Sequence, residues 1–362
     1  MSRAKRLSSL MGDDIDAIVV ANGTEPFLDS TFWYLTEQNS GSFEGSIAVV
    51  HRDGFLDVIV SQLEEEIAKS GVGELHVYKT GQEYKDILTG LLKDCKKVGV
   101  NAGSIPYSAI RGIRKLREDL EFEDSSSIIS ETVNVKDAKE IACIEKACEI
   151  TSKVANELPE MISEGVTEKE VASEMDIRMR RYGGTGNAFD TIAAFGKYSA
   201  EPHHMPCDYA LKRGDTALFD FGAKYDRYCA DLTRTIFLGD PGETMRKVYD
   251  VVLRAQQAGI DMIRPGVNAA DVDAAARNII DSTEFKGRFI HSFGHGIGMD
   301  VHQEIHVSPR STHVLKEGNI ISAEPGIYVP GLGGVRIEDT ILVTKDGCRR
   351  LTSFDHSFTI SR

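Results

Sequence analysis

A chain of 362 residues, 41% hydrophobic and 27% charged, has material for two or three domains and a large core. Its 42 basic and 56 acidic residues leave a formal net charge of -14, which argues against nucleic acid and other polyanions as partners. No run of about eighteen apolar residues is present to span a membrane. Asp13 and Asp14 interrupt the N-terminal stretch before a signal-peptide core can form, so a cytoplasmic location is expected.

In chain order, "AIVVAN" (17 to 22) predicts a buried strand, "SIAVVHRDGFLDVIVS" (46 to 61) a hairpin turning at Arg52-Asp53-Gly54, and "ELHVY" and "KVGVN" two further strands. Helix candidates, including "QLEEEIAKS" and "PYSAIRGIRKLREDL", lie between them, so residues 1–130 are expected to form a small α/β domain. The polar, serine-rich "EDSSSIISETVNVKDA" reads as a linker to a second domain over 131–362. There, "KEIACIEKACEITSKVANEL" sets Ile141, Ile144, Cys148, Thr151, Ala155 and Leu158 on one face of an amphipathic helix. In the helix that follows, Thr167 and Glu170 make a capping box. Six cysteines, Cys95, Cys143, Cys148, Cys207, Cys229 and Cys348, show no CxxC pair or regular spacing and read as reduced thiols.

Acidic residues then recur inside apolar strand patterns. In "GDTALFDFGAKYDRYCADLTRTIFLG" a turn centred between Tyr225 and Asp226 would set Asp220 opposite Asp231. In "SAEPGIYVPGLGGVRIEDTILV" a turn centred on Gly331 would set Glu324 opposite Glu338, with Arg336 on the Glu338 face. Directly opposed like charges are destabilising, and unpaired carboxylates in apolar surroundings are costly. Two such pairs therefore call for cations, and an oxygen-rich set with one imidazole suits two divalent ions with room for water.

The imidazole is sought in "SFGHGIGMDVHQEIHVS" (292 to 308), where His295 stands between Gly294 and Gly296 and can approach a metal unobstructed. His302 is free to face the same cavity. His291 stands four residues before His295, but the glycines oppose a helix there and it reads as structural. "SAEPHHMPCD" offers His203 as a further candidate, seventeen residues before Asp220.

At these residues the chain resembles the pita-bread metallopeptidases, and within them the proline-specific branch of prolidases (Xaa-Pro dipeptidases) and Xaa-Pro aminopeptidases. The resemblance runs from "DSTFWYLTEQNSGSFEGSIAVV" to "EPGIYVPGLGGVRIEDTILVT". It implies an α+β fold: a pita-bread (creatinase/aminopeptidase-like) catalytic domain of two related halves, preceded by a smaller α/β creatinase-N-like domain, usually as a homodimer. Five positions match the family's ligands in type, order and spacing. Asp220 would chelate one ion, His295 and Glu324 the other, and Asp231 and Glu338 would bridge them.

The resemblance further implies that His203 and His302 contact substrate and stabilise the tetrahedral intermediate, and that Arg336 supports the bridging carboxylates. The implied activity is hydrolysis of Xaa-Pro bonds in short proline-containing peptides by a metal-bridging hydroxide. Glu324 would shuttle the proton. Mn or Co are the expected metals, with Zn or Fe as alternatives.

After His302 the family's Glu is replaced by Gln303, and His306 occupies the neighbourhood of an arginine with which prolidases hold the dipeptide carboxylate; Arg310 lies further on. His306 thus becomes a substrate-binding candidate. Glu37 stands where "YLTG" is common, in a loop that in some relatives reaches a partner's active site. Alternatives on the same scaffold are a creatinase- or methionine-aminopeptidase-like hydrolase and a non-catalytic peptide- or protein-binding module. A binding module predicts eroded ligands, and all five are present.

Overall fold

The computed structural model describes residues 1–354 and 359–360 and divides into two compact units, Met1–Val133 and Asn134–Arg362. In the first, six strands form one mixed sheet in the order Glu74–Tyr78, Leu56–Ser61, Ile47–His51, Ala17–Ala21, Lys97–Val100, Glu121–Asp124. The hairpin predicted at Asp53 pairs Ile47 with Ile59 and Val50 with Leu56. Alternating Ala17, Val19 and Ala21 meet Ile47, Val49 and Val98 in the core, against Leu88 and Ile113 from the helices Gly81–Leu91 and Tyr107–Leu116.

The serine-rich segment contains the boundary between the two units, at Val133/Asn134, but most of it is a helix, Ser126–Asn134, and not an irregular connection. Asp124 explains the difference: its carboxylate accepts from the backbone N–H of Ser126 at 2.9 Å and from its hydroxyl at 2.6 Å, satisfying donors at the start of the helix. Ile129 and Thr132, three apart, are then buried on one side.

The second unit is built of two helix-covered halves. In one, helices Ala138–Asn156 and Glu168–Arg181 pack Ile150, Val154, Val171 and Met175 onto Phe195, Phe219 and Leu232 of the strands Ile192–Phe195, Thr216–Phe221 and Leu232–Leu238. Both helices open with capping boxes, Asp137 with Glu140 and Thr167 with Glu170. In the other, helices Gly242–Met262 and Ala269–Asp281 cover a sheet in the order Gln303–Val307, Gly294–Gly296, Ile320–Ala323, Asp339–Thr344, Gly347–Arg350. This is the expected pita-bread arrangement, with the inner strands of both halves turned toward a shared cavity. Among the described residues no helix is long and apolar enough to cross a membrane.

Candidate metal centre and substrate cavity

The two acidic hairpins differ in how closely they follow the predicted register. The second is centred on Gly331 as expected: Gly326 pairs with Arg336 and Val329 with Gly333. The outer ladder keeps the same register, Ala323 opposite Asp339 and Ile320 opposite Leu342. Glu324 and Glu338 stand opposite one another in the gap between these ladders. There the backbone N–H of Glu324 donates to Phe293 O and that of Glu338 to Thr233 O.

The first hairpin turns one residue later than predicted. Asp226 and Arg227 both adopt left-handed φ values, 45° and 71°, and form the two-residue turn, which places Lys224 opposite Cys229. Asp220 therefore faces Thr233, not Asp231. Shifting a turn by one residue moves each partner by two, so alternation still leaves Asp231 on the side of the sheet toward which Asp220 points.

His295 is presented by the short strand Gly294–Gly296. A Cβ at Gly294 would stand 2.1 Å from Ser322 O, and one at Gly298 would strike the Gln303 side chain at 2.5 Å. These glycines thus permit close approach of neighbouring strands. The Ser322 hydroxyl accepts from the His295 backbone N–H at 3.0 Å and donates to Glu324 Oε1 at 3.1 Å, tying imidazole and carboxylate together.

All nine residues singled out from the sequence, His203, Asp220, Asp231, His295, His302, His306, Glu324, Arg336 and Glu338, line one cavity of about 830 Å³. Asp231, His295 and Glu338 each bring a ligand-type atom within 4.8 Å of the others. His295 Nε2 lies 3.2 Å from Glu324 and 3.5 Å from Asp231. The His295 and His302 rings are 4.3 Å apart, whereas His306 sits at the exposed rim. His291 holds Ser292 O and the Tyr328 hydroxyl, both at 2.8 Å, in keeping with a structural role.

Electrostatics separate the carboxylates. Burial, reinforced by Glu338 and Asp220, pushes Asp231 well above the usual carboxylate range, and burial together with Glu324 and Asp220 does the same to Glu338. Glu324 is also buried, which opposes its charge, yet the hydrogen bond from His295 and that ring's field bring it down to about 2. His295 is raised despite its burial by the same bond, while burial and the His295 charge lower His302. Arg336 donates to Asp220 Oδ2 at 2.6 Å, to the Tyr328 hydroxyl at 2.8 Å and to Thr233 Oγ1 at 3.0 Å.

Two buried oxygens, Asp220 Oδ1 and Glu338 Oε1, have no hydrogen-bond partner. A buried carboxylate oxygen without donor or cation is costly, and carboxylates with one imidazole suit divalent ions, so this donor set fits them.

Thr233, Tyr328, Ser322 and the apolar wall of Phe189, Ile192, Pro202, Ile290 and Val301 were not anticipated. Thr233 and Tyr328 had a usable signal, since each lies an even number of residues from a candidate ligand on an alternating strand. No local pattern marked the apolar wall, which comes from separate loops and the start of the strand Ile192–Phe195.

The catalytic half of the chain, residues 142–345, matches metallopeptidase family M24, and residues 3–132 match the creatinase/prolidase N-terminal domain. The chain belongs to metallopeptidase family M24, which implies divalent metal ions. A Xaa-Pro dipeptidase of Pyrococcus horikoshii is 42% identical over 294 residues, covering 81% of this chain and 82% of the relative. The crystal structure of the prolidase from that organism superposes with a TM-score of 0.90 at 36% identity, over 98% of this chain and 99% of the other. The X-Pro aminopeptidase of Thermotoga maritima superposes with a TM-score of 0.89 at 32% identity, over 98% and 99%.

Proposed function

We propose that the chain is a cytoplasmic, homodimeric Xaa-Pro peptidase acting on short proline-containing peptides, and that Asp220, Asp231, His295, Glu324 and Glu338 hold two divalent ions. Asp220 would serve one ion and His295 and Glu324 the other, with Asp231 and Glu338 completing the donor set. Mn or Co is the expected metal, with Zn or Fe as alternatives. The unmatched oxygens of Asp220 and Glu338, buried beside His295, are the observation that carries this reading.

Bound ions lower the pKa of water to near neutrality and polarise the scissile carbonyl. The protein's own groups supply the rest. Glu324 lies at the cavity wall and delivers a proton to the leaving nitrogen; the bond before proline is a tertiary amide with no N–H, so its departing amine needs that proton. His203 and His302 project into the same space and donate to the substrate carbonyl as negative charge develops there. Arg336 fixes one oxygen of Asp220 and, through Thr233, orients Glu338, whose Oε2 accepts from the Thr233 hydroxyl at 2.7 Å. Phe189, Ile192 and Val301 keep the wall dry and receive the residue before proline.

His306 lies at the rim, and Arg310 lines a neighbouring groove that shares Ile290, His291 and Ser292 with the cavity. Chelated protein reloaded with Mn or Co is tested on a Xaa-Pro dipeptide beside an N-terminal Xaa-Pro-Xaa tripeptide. Cleavage of the dipeptide alone assigns a dipeptidase that holds the carboxylate with His306 or Arg310, and preference for the tripeptide assigns an aminopeptidase. Failure on both removes the peptidase reading.

A further inference from the structure

A second group of metal-ligating side chains lies apart from the acidic hairpins. Glu168 opens the helix Glu168–Arg181 and is fully buried, and the loop after Ala200 folds back over it. Backbone N–H groups orient its carboxylate: Phe195 donates to Oε1 at 2.7 Å and Cys207 to Oε2 at 2.8 Å. His204 Nε2 is 2.8 Å from Glu168 Oε2. One ligand-type atom from each of Glu168, His204 and Cys207 lies within 4.8 Å of the other two.

The surroundings of His204 are those of a ligand histidine. Its Nδ1 lies 3.0 Å from Glu201 Oε2, and its ring stacks on Tyr198 with centroids 4.9 Å apart. With Glu201 holding Nδ1, a metal would take Nε2 in place of its present contact with Glu168 Oε2. Sulfur, imidazole and carboxylate together are a donor set that suits zinc.

We propose that Glu168, His204 and Cys207 form a zinc site, distinct from the carboxylate cluster, that anchors the loop carrying Glu201 and His203 into the substrate cavity. Binding forms Zn–S, Zn–N and Zn–O bonds and releases the Cys207 thiol proton, together with the Nε2 proton of His204 when that ring is charged. Because thiolate and neutral imidazole are the ligating forms, zinc competes with protons and binds more tightly as pH rises.

The test uses the full chain, chelated and titrated with cobalt(II). None of the five residues proposed for the catalytic ions is a cysteine, so a sulfur-to-cobalt charge-transfer band reports thiolate ligation alone. The band is expected in the parent protein and in Cys348→Ser, and absent in Cys207→Ser. His204→Gln keeps the thiol and serves as the second variant; it should weaken cobalt binding by tenfold or more. Zinc counted per chain should fall by one equivalent in Cys207→Ser, and zinc added to manganese-loaded protein should raise the Tm of the parent but not of that variant. No thiolate band at saturating cobalt, or a band that survives Cys207→Ser, would overturn the proposal. Peptidase activity is read separately with manganese, so either reading can fail without the other.

Discussion

Glu338 and Asp339 are neighbours in the chain and each is only 1% exposed, yet their settings are opposite. Asp339 faces the wall behind the cavity. It meets Arg234 at 2.6 Å, Gln256 at 3.1 Å and the Thr352 hydroxyl at 2.8 Å. Glu338 faces the cavity, among Asp220, Asp231 and Glu324, with one oxygen unmatched. In this pair burial alone says little about purpose; the difference is that the protein meets the acceptors of Asp339 and leaves one of Glu338 unmatched.

Exchange of the two roles would break that contrast, and substitution shows it most sharply. Glu338→Gln should reduce turnover of the metal-reloaded protein by roughly a thousandfold or more, equivalent to about 4 kcal/mol of transition-state stabilisation, with its circular dichroism retained. Near-normal turnover would remove Glu338 from the metal set. Asp339→Ala should leave Arg234 buried and uncompensated, destabilising the fold by about 3–5 kcal/mol in denaturant titrations while the folded fraction still cleaves substrate. If that fraction is instead inactive, the wall is part of the active machinery.

On the cavity side, His302→Ala should lower kcat roughly a hundredfold with little change in Tm, the scale expected for losing one donor to a developing oxyanion. An effect on KM alone would assign His302 to substrate binding.

The smallest effect concerns the chelated protein. Burial and neighbouring carboxylates raise Asp231, so its native form resists ionisation. Stability is then lost as pH climbs from the ordinary carboxylate range toward the raised value, because the unfolded chain ionises first. Asp231→Asn should consequently stabilise chelated protein at neutral pH by on the order of 1 kcal/mol, read as a higher Tm, with the gain vanishing near pH ~4. A variant less stable than the parent at neutral pH would contradict this repulsion.

How much of this was legible in the sequence depended on whether the deciding signal was local. The register around Gly331 followed from Pro330-Gly331 between alternating strands, and it placed Glu324, Arg336 and Glu338 correctly on one face. The register around Asp226 was missed by one residue because Arg227 is not a residue that advertises a left-handed turn. Its consequence was small, since the period of two returned Asp231 to the same face. The serine-rich helix was hidden by composition: its start depends on Asp124, which lies at the end of a strand too short to be recognised beforehand. Glu168, His204 and Cys207 were invisible as a group, being separated by 39 residues at the widest. Only the folding of the loop onto the helix start unites them.

The unbroken register on both sides of the gap at Glu324 and Glu338 also governs how this segment can drift. Residues added at the tip between Val329 and Gly333 lengthen the turn and leave both ladders, and the carboxylates between them, in place. One residue added between Ala323 and Gly326 would put the two ladders out of step and turn Glu324 away from Glu338. Length variation among descendants of this chain should therefore collect at Leu332 and be absent a few residues below it.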